Sequence, residues 1–420
     1  MRTMRERRDL AKVVKVASIH SHLITWIDNQ DARRTFFANS DAMYIDLPGL
    51  WIKRAKKHLT DPHDHFSRFL MTLFDHGRGL DSKAKESVED KYEPHYGHGD
   101  CWLMSQLVAM LIKQLPNLQH FSTRGCQHIL GSSPESFLAD LQLLHLPMKI
   151  LDIETWISPL VELASGLETL NIHGTWASEP PIPKMPNLKV LRLIPKELKA
   201  HWDPSASFLE DILLACTGSL CTFVLEAPSA GNGKYSVPGM ELGRIIYLLR
   251  HHQNTLKCLH LDIRRVRFPK VRQYQYPSLN DFTSLEHLLL SSNTMAISSD
   301  GTSEYEFLNR MIPPSIKTLH FLVSQFGGKH DLEKDLRRLA SSKWHTPTVL
   351  PNLRQVICDL EHPFMNNDVA NDFTAVGVEF GYKRWREFEH GRDRPNDGRY
   401  NFRVVGDVPI RLELGRTSYY

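Results

Sequence analysis

A chain of 420 residues, with 41% hydrophobic and 24% charged residues, has the composition of a folded protein and not of a disordered one. Its formal charge of +3 is small for this length, which excludes a global field that would draw the whole molecule onto nucleic acid or a membrane. The longest apolar runs, 107–112 and 245–249, are far too short to cross a bilayer.

The N-terminal residues 1–19 are basic, but no uninterrupted apolar segment follows them, so a secretory signal is not expected. Glu6 and Asp9 also argue against a mitochondrial transit peptide. The six cysteines are scattered, form no C-x-x-C pair and mostly lie in apolar runs, as buried free thiols do. These features predict a reducing compartment, either cytoplasmic or nuclear.

In chain order, the first region is 1–100, which we interpret as an N-terminal capping and early-repeat region. Residues 10–45 have helical and strand-like patterns, and 81–100 are polar with Gly and Pro, which predicts a long surface loop. A helix is predicted over 102–114, because this segment is apolar on a broad face.

A repeat organises the second region, 101–365. The pattern L-x-x-L-x-L, with apolar substitutions, begins nine times. The starting residues are Leu118, Met148, Leu167, Leu188, Leu220, Leu256, Leu285, Ile316 and Leu353. Spacings range from 19 residues, between Met148 and Leu167, to 37, between Ile316 and Leu353, and the copy at Leu285 continues to Asn293. Such a series is typical of leucine-rich repeats, with inserted loops where the spacing is long.

The repeat also predicts the layers of the fold. Its second and third apolar positions are two residues apart, so both face the interior from a short strand. Between strands, apolar residues recur at helical spacing. The three stripes are Phe137, Leu138, Leu141, Leu144; Leu242, Ile245, Ile246, Leu249; and Leu332, Leu336, Leu339. We therefore expect an α/β fold, an irregular leucine-rich-repeat solenoid (horseshoe) with parallel strands on the concave face and helices on the convex face.

The third region, 366–420, is interpreted as a C-terminal cap. A short helix is predicted near 369–375, and alternating segments follow at 376–380 and 401–414. The charged, turn-rich stretch 389–400 is predicted to be a loop.

These residues resemble the leucine-rich-repeat region of fungal F-box proteins. The resemblance is carried by the opening 2–14, by Gly377-Val378-Glu379-Phe380, and by Leu115-Pro116-Asn117-Leu118 with its echoes at 185–188 and 350–353. It implies a ligand-binding horseshoe, hence a substrate receptor or scaffold related to F-box ubiquitin-ligase adaptors. No F-box is recognisable, so either it is absent or the gene model begins too late. The adaptor that grips an F-box is a partner only if an F-box is supplied or cryptic.

The outward positions of the strands form the candidate binding face for a protein ligand. They carry a mixed row of histidines, acids and arginines, which suits a charge-complementary protein surface. The candidate residues are His120, Arg124, Asp152, Glu154, Asn171, His173, Arg192, Glu226, His260, Asp262, His287 and His320. The alternative interpretation is a solvated sheet face without a partner.

Two basic stretches are further candidates. Residues 53–57 have the composition of a nuclear address or of a solvated helix face, and the second is favoured. A basic loop interleaves cations with Phe268, Tyr274 and Tyr276; its cations are Arg264, Arg265, Arg267, Lys270 and Arg272. Such a loop can bind single-stranded nucleic acid or anchor a protein partner, and we favour protein.

Metal, cofactor and catalytic signals are weak. His63 and His65 beside aspartates, and His95, His98 and Cys101, are zinc-ligand types without a regular zinc spacing. Residues 231–234 hint at a phosphate loop, but Pro228 and Tyr235 replace residues it needs. No catalytic motif is present. We expect no metal, no cofactor and no enzymatic activity; a metal-dependent enzyme around His63 and His98 is the least favoured alternative.

Overall fold

A computed structural model of the chain describes residues 7–20, 107–124, 141, 143–155, 158–175, 182–194, 206–226, 242–262, 278–291, 311–322, 329–359, 364 and 368–383. The chain divides into two compact units, Met1–Leu167 and Glu168–Tyr420. Among the described residues, no helix combines the length and the apolar character needed to span a membrane.

The first unit contains three parallel strands that pair in chain order. Its elements are α1 (Arg8–Val13), β1 (Val16–His20), a helical segment at 107–114, β2 (His120–Arg124), β3 (Ile150–Thr155) and α2 (Ser158–Leu163). The segment 107–114 falls within the helix predicted at 102–114.

The second unit repeats this plan with eight strands, and every pair between neighbours is parallel. The strands are β4 (Thr169–Thr175), β5 (Val190–Leu193), β6 (Thr222–Glu226), β7 (Cys258–Asp262), β8 (His287–Ser291), β9 (Thr318–Leu322), β10 (Gln355–Asp359) and β11 (Glu379–Tyr382). The helices are α3 (Ala206–Ala215), α4 (Leu242–Leu249), α5 (Lys329–His345) and α6 (Asp368–Ala375), with a 3₁₀ turn at Arg250–His252.

The strands coincide with the repeats read from the sequence. Each of β2 to β10 begins two residues after the first apolar position of one repeat. All three apolar positions of every repeat are buried, and none is more than 4% exposed. The prediction of an α/β fold with parallel strands is therefore confirmed.

A double hydrogen bond sets the register where each strand begins. In the first unit, the carbonyl oxygen of Lys15 accepts the N–H groups of Gln119 and His120 at 2.8 and 2.9 Å. In the second unit, the carbonyl of Glu168 accepts those of Lys189 and Val190 at 2.8 and 3.0 Å. The same arrangement recurs between neighbouring strands within each unit as far as β10, so one carbonyl of a repeat fixes two amides of the following one.

The Pro-Asn-Leu motif forms the turn before a repeat and joins it to the preceding one. Leu118 N–H donates to the carbonyl of Leu115 at 3.1 Å, which closes the turn. Asn117 Nδ2 donates to the carbonyl of Lys12 at 2.7 Å, and Asn352 Nδ2 donates to that of Pro314 at 3.2 Å. In three of the repeats without the motif, Thr255, Ser284 and Ser315 donate hydroxyl hydrogen bonds from the same position.

Replacing Ser315 with alanine should lower the free energy of unfolding by about 1 kcal/mol, because its hydroxyl would no longer reach the carbonyls of Leu285 and Phe282. Those distances are 2.8 and 3.3 Å. Urea unfolding followed by circular dichroism measures the change. Ser341→Ala on the exposed face of α5 is the control and should change stability little; equal effects of the two substitutions would contradict a joining role for Ser315.

Two of the predicted helical stripes are confirmed. Those of α4 and α5 are buried throughout. The prediction of a helical stripe through 137–144 is wrong at its end. Leu144 is 91% exposed, and 143–149 has no regular structure. Leu146 and Met148 are buried at alternate positions, and Leu146 N–H donates to the carbonyl of Leu163 at 2.8 Å, so the chain is already extended here. Phe137 and Leu138 lie outside the described residues, as does Asn293.

The last described strand continues the sheet within the region interpreted as the C-terminal cap. Helix α6 overlaps the predicted helix at 369–375 and ends at Ala375, and it is followed by Gly377, whose φ of +71° is left-handed. The N–H of Val378 donates to the carbonyl of Phe373 at 3.0 Å, a Schellman ending. Strand β11 then pairs with β10, and the ring of Phe380 stacks on that of Phe373 with centroids 5.5 Å apart.

The four described cysteines are free thiols. Cys216, Cys258 and Cys358 are buried, and Cys221 is half-buried. Burial raises the pKa of Cys216 and of Cys258 to about 12, and it also raises the pKa of Cys358. The expectation of buried free thiols is confirmed for these three residues.

Candidate functional site

The residue between the two buried positions of each strand lies on the other face of the sheet, because side chains alternate along a strand. Within each unit, strand register aligns these residues into a row, and we call these residues together the central row. In the first unit it contains Ser122 and Asp152. In the second unit it contains Asn171, Arg192, Val224, His260, Leu289, His320 and Ile357.

The central row and His120, two residues before Ser122 on the same face, are buried except for Ile357, which is half-buried, whereas the sequence predicted an outward polar face. No more than 6% of His120, Asp152, Asn171, Arg192, His260 or His320 is exposed. The same row holds Val224 and Leu289, and Leu289 forms a fully buried apolar cluster with Leu322. An apolar residue at the outward position was the sequence signal that this face is not simply solvated.

In the first unit, His120 and Asp152 form a buried pair. His120 Nε2 lies 2.8 Å from Asp152 Oδ2, on the neighbouring strands β2 and β3. A carboxylate that accepts a hydrogen bond away from water is held more firmly than one at the surface, because water no longer competes. The pair therefore fixes two of the predicted site residues in one geometry.

In the second unit, charged side chains lie in the buried row and beside it. His260 Nε2 lies 3.6 Å from Glu226 Oε1. The positive charge of Arg192 partly offsets the effect of burial on the pKa of the Cys258 thiol, which is nevertheless raised to about 12. Cys258 therefore remains a neutral thiol next to this guanidinium and is a poor nucleophile.

Four of the predicted residues remain partly exposed, and we call them the rim: His173, Glu226, Asp262 and His287. Glu226 and Asp262 are register partners at the carboxyl ends of β6 and β7. Neighbouring strands are about 4.8 Å apart, so these two carboxylates face the same small volume.

A charged group lies beside His287. Glu286 Oε2 is 2.9 Å from Lys317 Nζ and 3.9 Å from His287 Nε2. The hydrogen bond from Lys317 is the main cause of the lowered pKa of Glu286. The ammonium therefore keeps this carboxyl ionised next to the rim.

The other predicted site residues cannot be placed to the same extent. Arg124 and Glu154 lie on β2 and β3, but their side chains are outside the described part of the chain. So are the basic loop 264–276, the basic run 53–57, the histidines at 63–98 and the segment 231–234. Within the described ranges, no group of three or more His, Cys, Asp or Glu side chains could hold a metal ion.

One surface was missed by the sequence interpretation, which considered only the buried side of α5. The opposite side of this helix carries Lys334, Arg337 and Trp344 along an open groove beside α6. The spacing of three and seven residues, on the side opposite Leu332 and Leu336, is the signal that was available.

No protein-family model matches the chain, and no curated protein sequence matches it significantly.

Proposed function

We propose that the chain is a leucine-rich-repeat solenoid that binds a protein ligand and has no catalytic activity of its own. Support comes from nine strands that each begin at the same point of the sequence repeat, and from the double hydrogen bond that joins neighbouring repeats within each unit as far as β10. Arrays built in this way present one continuous row of side chains to a partner.

The rim is the proposed contact surface, and the observation that carries this is the register pairing of Glu226 with Asp262. Like charges on adjacent strands repel each other, at a cost of a few tenths of a kcal/mol or more. A cationic side chain of a ligand would be attracted by both carboxylates. His260 Nε2, at 3.6 Å from Glu226 Oε1, belongs to the buried row below. The proposed ligand therefore presents Lys or Arg to this pair.

The buried central row has a supporting role in this proposal. Side chains that are already fixed before binding lose little conformational entropy when the ligand arrives. Asn171 and Arg192 are register partners and are both buried, so they would hold the surface between His173 and Glu226 in one conformation.

A role as a substrate receptor or scaffold related to F-box adaptors rests on the resemblance of the repeats and turns. Recovery of the ubiquitin-ligase adaptor with the chain would support this narrower role. Recovery of other proteins without the adaptor would favour a scaffold.

The test is affinity purification of the full chain followed by mass spectrometry, repeated with the double variant Glu226→Gln and Asp262→Asn. We expect recovery of the ligand to fall at least tenfold, because both charges are removed while the side-chain shapes are kept. The matched control is Glu210→Gln with Asp211→Asn, an adjacent acidic pair on α3. Equal recovery by the rim variant and the unmodified chain would contradict the proposal.

A further inference from the structure

A groove of about 540 Å³ lies between α5 and α6 in the second unit. Its polar lining is Lys334, Arg337, Arg338, Ser341 and Asp372, and its apolar lining is Ala340, Trp344, Ala375 and Val376. The groove therefore combines a charged half with an apolar half.

The groove is on the opposite side of the sheet from the rim and from the central-row residues of the second unit. Phe373 of α6 stacks on Phe380 of β11, and Phe380 is the register partner of the core residue Val356. His320 is the register partner of Ile357, the next residue, so it lies on the other face. A ligand in the groove is thus independent of a ligand at the rim.

Trp344 gives the groove an exposed aromatic side chain. It is 62% exposed, in the last turn of α5, and Ala375 and Val376 of α6 line the same groove. Trp is among the residues that contribute most when a protein surface is covered by a partner, because its large apolar area is removed from water.

The charged half of the groove is lined by three cations and one carboxylate. Arg337 Nε lies 3.0 Å from Asp372 Oδ2, and its Nη1 lies 3.3 Å from Asp368 Oδ2. A guanidinium has five N–H donors, so these two ion pairs do not exhaust it. Arg338 is 3.7 Å from Asp335. Exposed pairs of this kind contribute less than about 1 kcal/mol, so a ligand carboxylate can join or replace them at small cost.

We propose that this groove binds an acidic peptide segment of a partner protein that carries one large apolar side chain. The carboxylates of the peptide pair with Lys334, Arg337 and Arg338, and the apolar side chain covers Trp344. A peptide can place its negative charges beside the cations alone. A polynucleotide, with a phosphate at every residue, would also bring negative charge against Asp368 and Asp372.

The test uses a fluorescein-labelled dodecapeptide of Glu, Gly and Ser with one central Leu, and measures its binding to the full chain by fluorescence polarisation. Two comparison peptides replace every Glu with Gln, or the Leu with Ser. Both replacements should weaken binding at least fivefold, because each removes one half of the complementarity.

Two protein variants locate the binding. Lys334→Glu and Trp344→Ala should each weaken binding of the acidic peptide about tenfold. Because both side chains are exposed, circular dichroism should show unchanged folding. Arg250→Glu, which makes the same charge change after α4, is the control and should leave binding unchanged. Binding that resists both groove variants would overturn the proposal. So would a single-stranded RNA oligomer that binds more tightly than the peptide and is lost in the same variants.

Discussion

Gly218→Ala is expected to lower the free energy of unfolding by about 3 kcal/mol, the upper part of the range for an overpacked site. A Cβ atom at this position would lie 1.8 Å from the carbonyl oxygen of Pro186 and 2.7 Å from its carbonyl carbon. Both atoms belong to the backbone, in the turn that precedes an adjacent repeat. A flexible side chain cannot move away to make room, so the two repeats must separate.

Gly243→Ala is the matched control. Gly243 is exposed in α4, and no atom lies within 4 Å of the position its Cβ would take. Alanine favours the helix over glycine by up to about 1 kcal/mol, so this variant should be as stable as the unmodified chain or slightly more stable. Urea unfolding monitored by circular dichroism compares the two. A Gly218→Ala variant with an unchanged midpoint would contradict the close approach to Pro186.

Asp152→Ala is expected to have an effect of similar size, about 3 kcal/mol, on the free energy of unfolding. His120 and Asp152 are both buried, and the hydrogen bond between them is 2.8 Å long. Removal of the carboxylate leaves the imidazole of His120 without this bond in a place that water does not reach. Losing a partner at a buried polar group costs the full desolvation of the group that remains.

The same protein offers two comparisons for this variant. Asp152→Asn keeps the shape and an acceptor oxygen, so it should cost less than Asp152→Ala. Asp211→Ala on the exposed face of α3 removes an aspartate without a buried partner and should change stability by less than about 0.5 kcal/mol. Thermal unfolding of the three variants would separate these effects. If Asp152→Ala matched Asp211→Ala, the buried pair would have no role in stability.

The repeat predicted the strands well because its signal is local. An apolar residue such as Leu285, with Leu288 and Leu290 at fixed offsets, determines both the position of a strand and the side that is buried. The helix at 242–249 could be predicted equally well, since its sequence has four apolar residues at helical spacing. Leu144 was misplaced because an apolar residue near the end of a stripe belongs equally well to the extended segment that follows.

The candidate site was harder to predict from the sequence, because the burial of the outward face of the strands depends on residues far apart in sequence. Alternation indicates that His260 points away from the core, but it does not indicate what lies over it. Val224 and Leu289 in the same row were the available hint. The Trp344 groove depends on α6 lying beside α5, a tertiary contact that no local spacing encodes.

The buried thiols of the second unit can report which of its repeats open, because each thiol reacts only when its repeat is open. The thiolate is the form that attacks a thiol-modifying reagent, and the raised pKa values leave almost none of it at neutral pH in the closed state. Cys216 follows α3, Cys258 begins β7, and Cys358 lies in β10, so they sample separate repeats. The order in which they become modified would therefore identify the repeats that open first, without any engineered label.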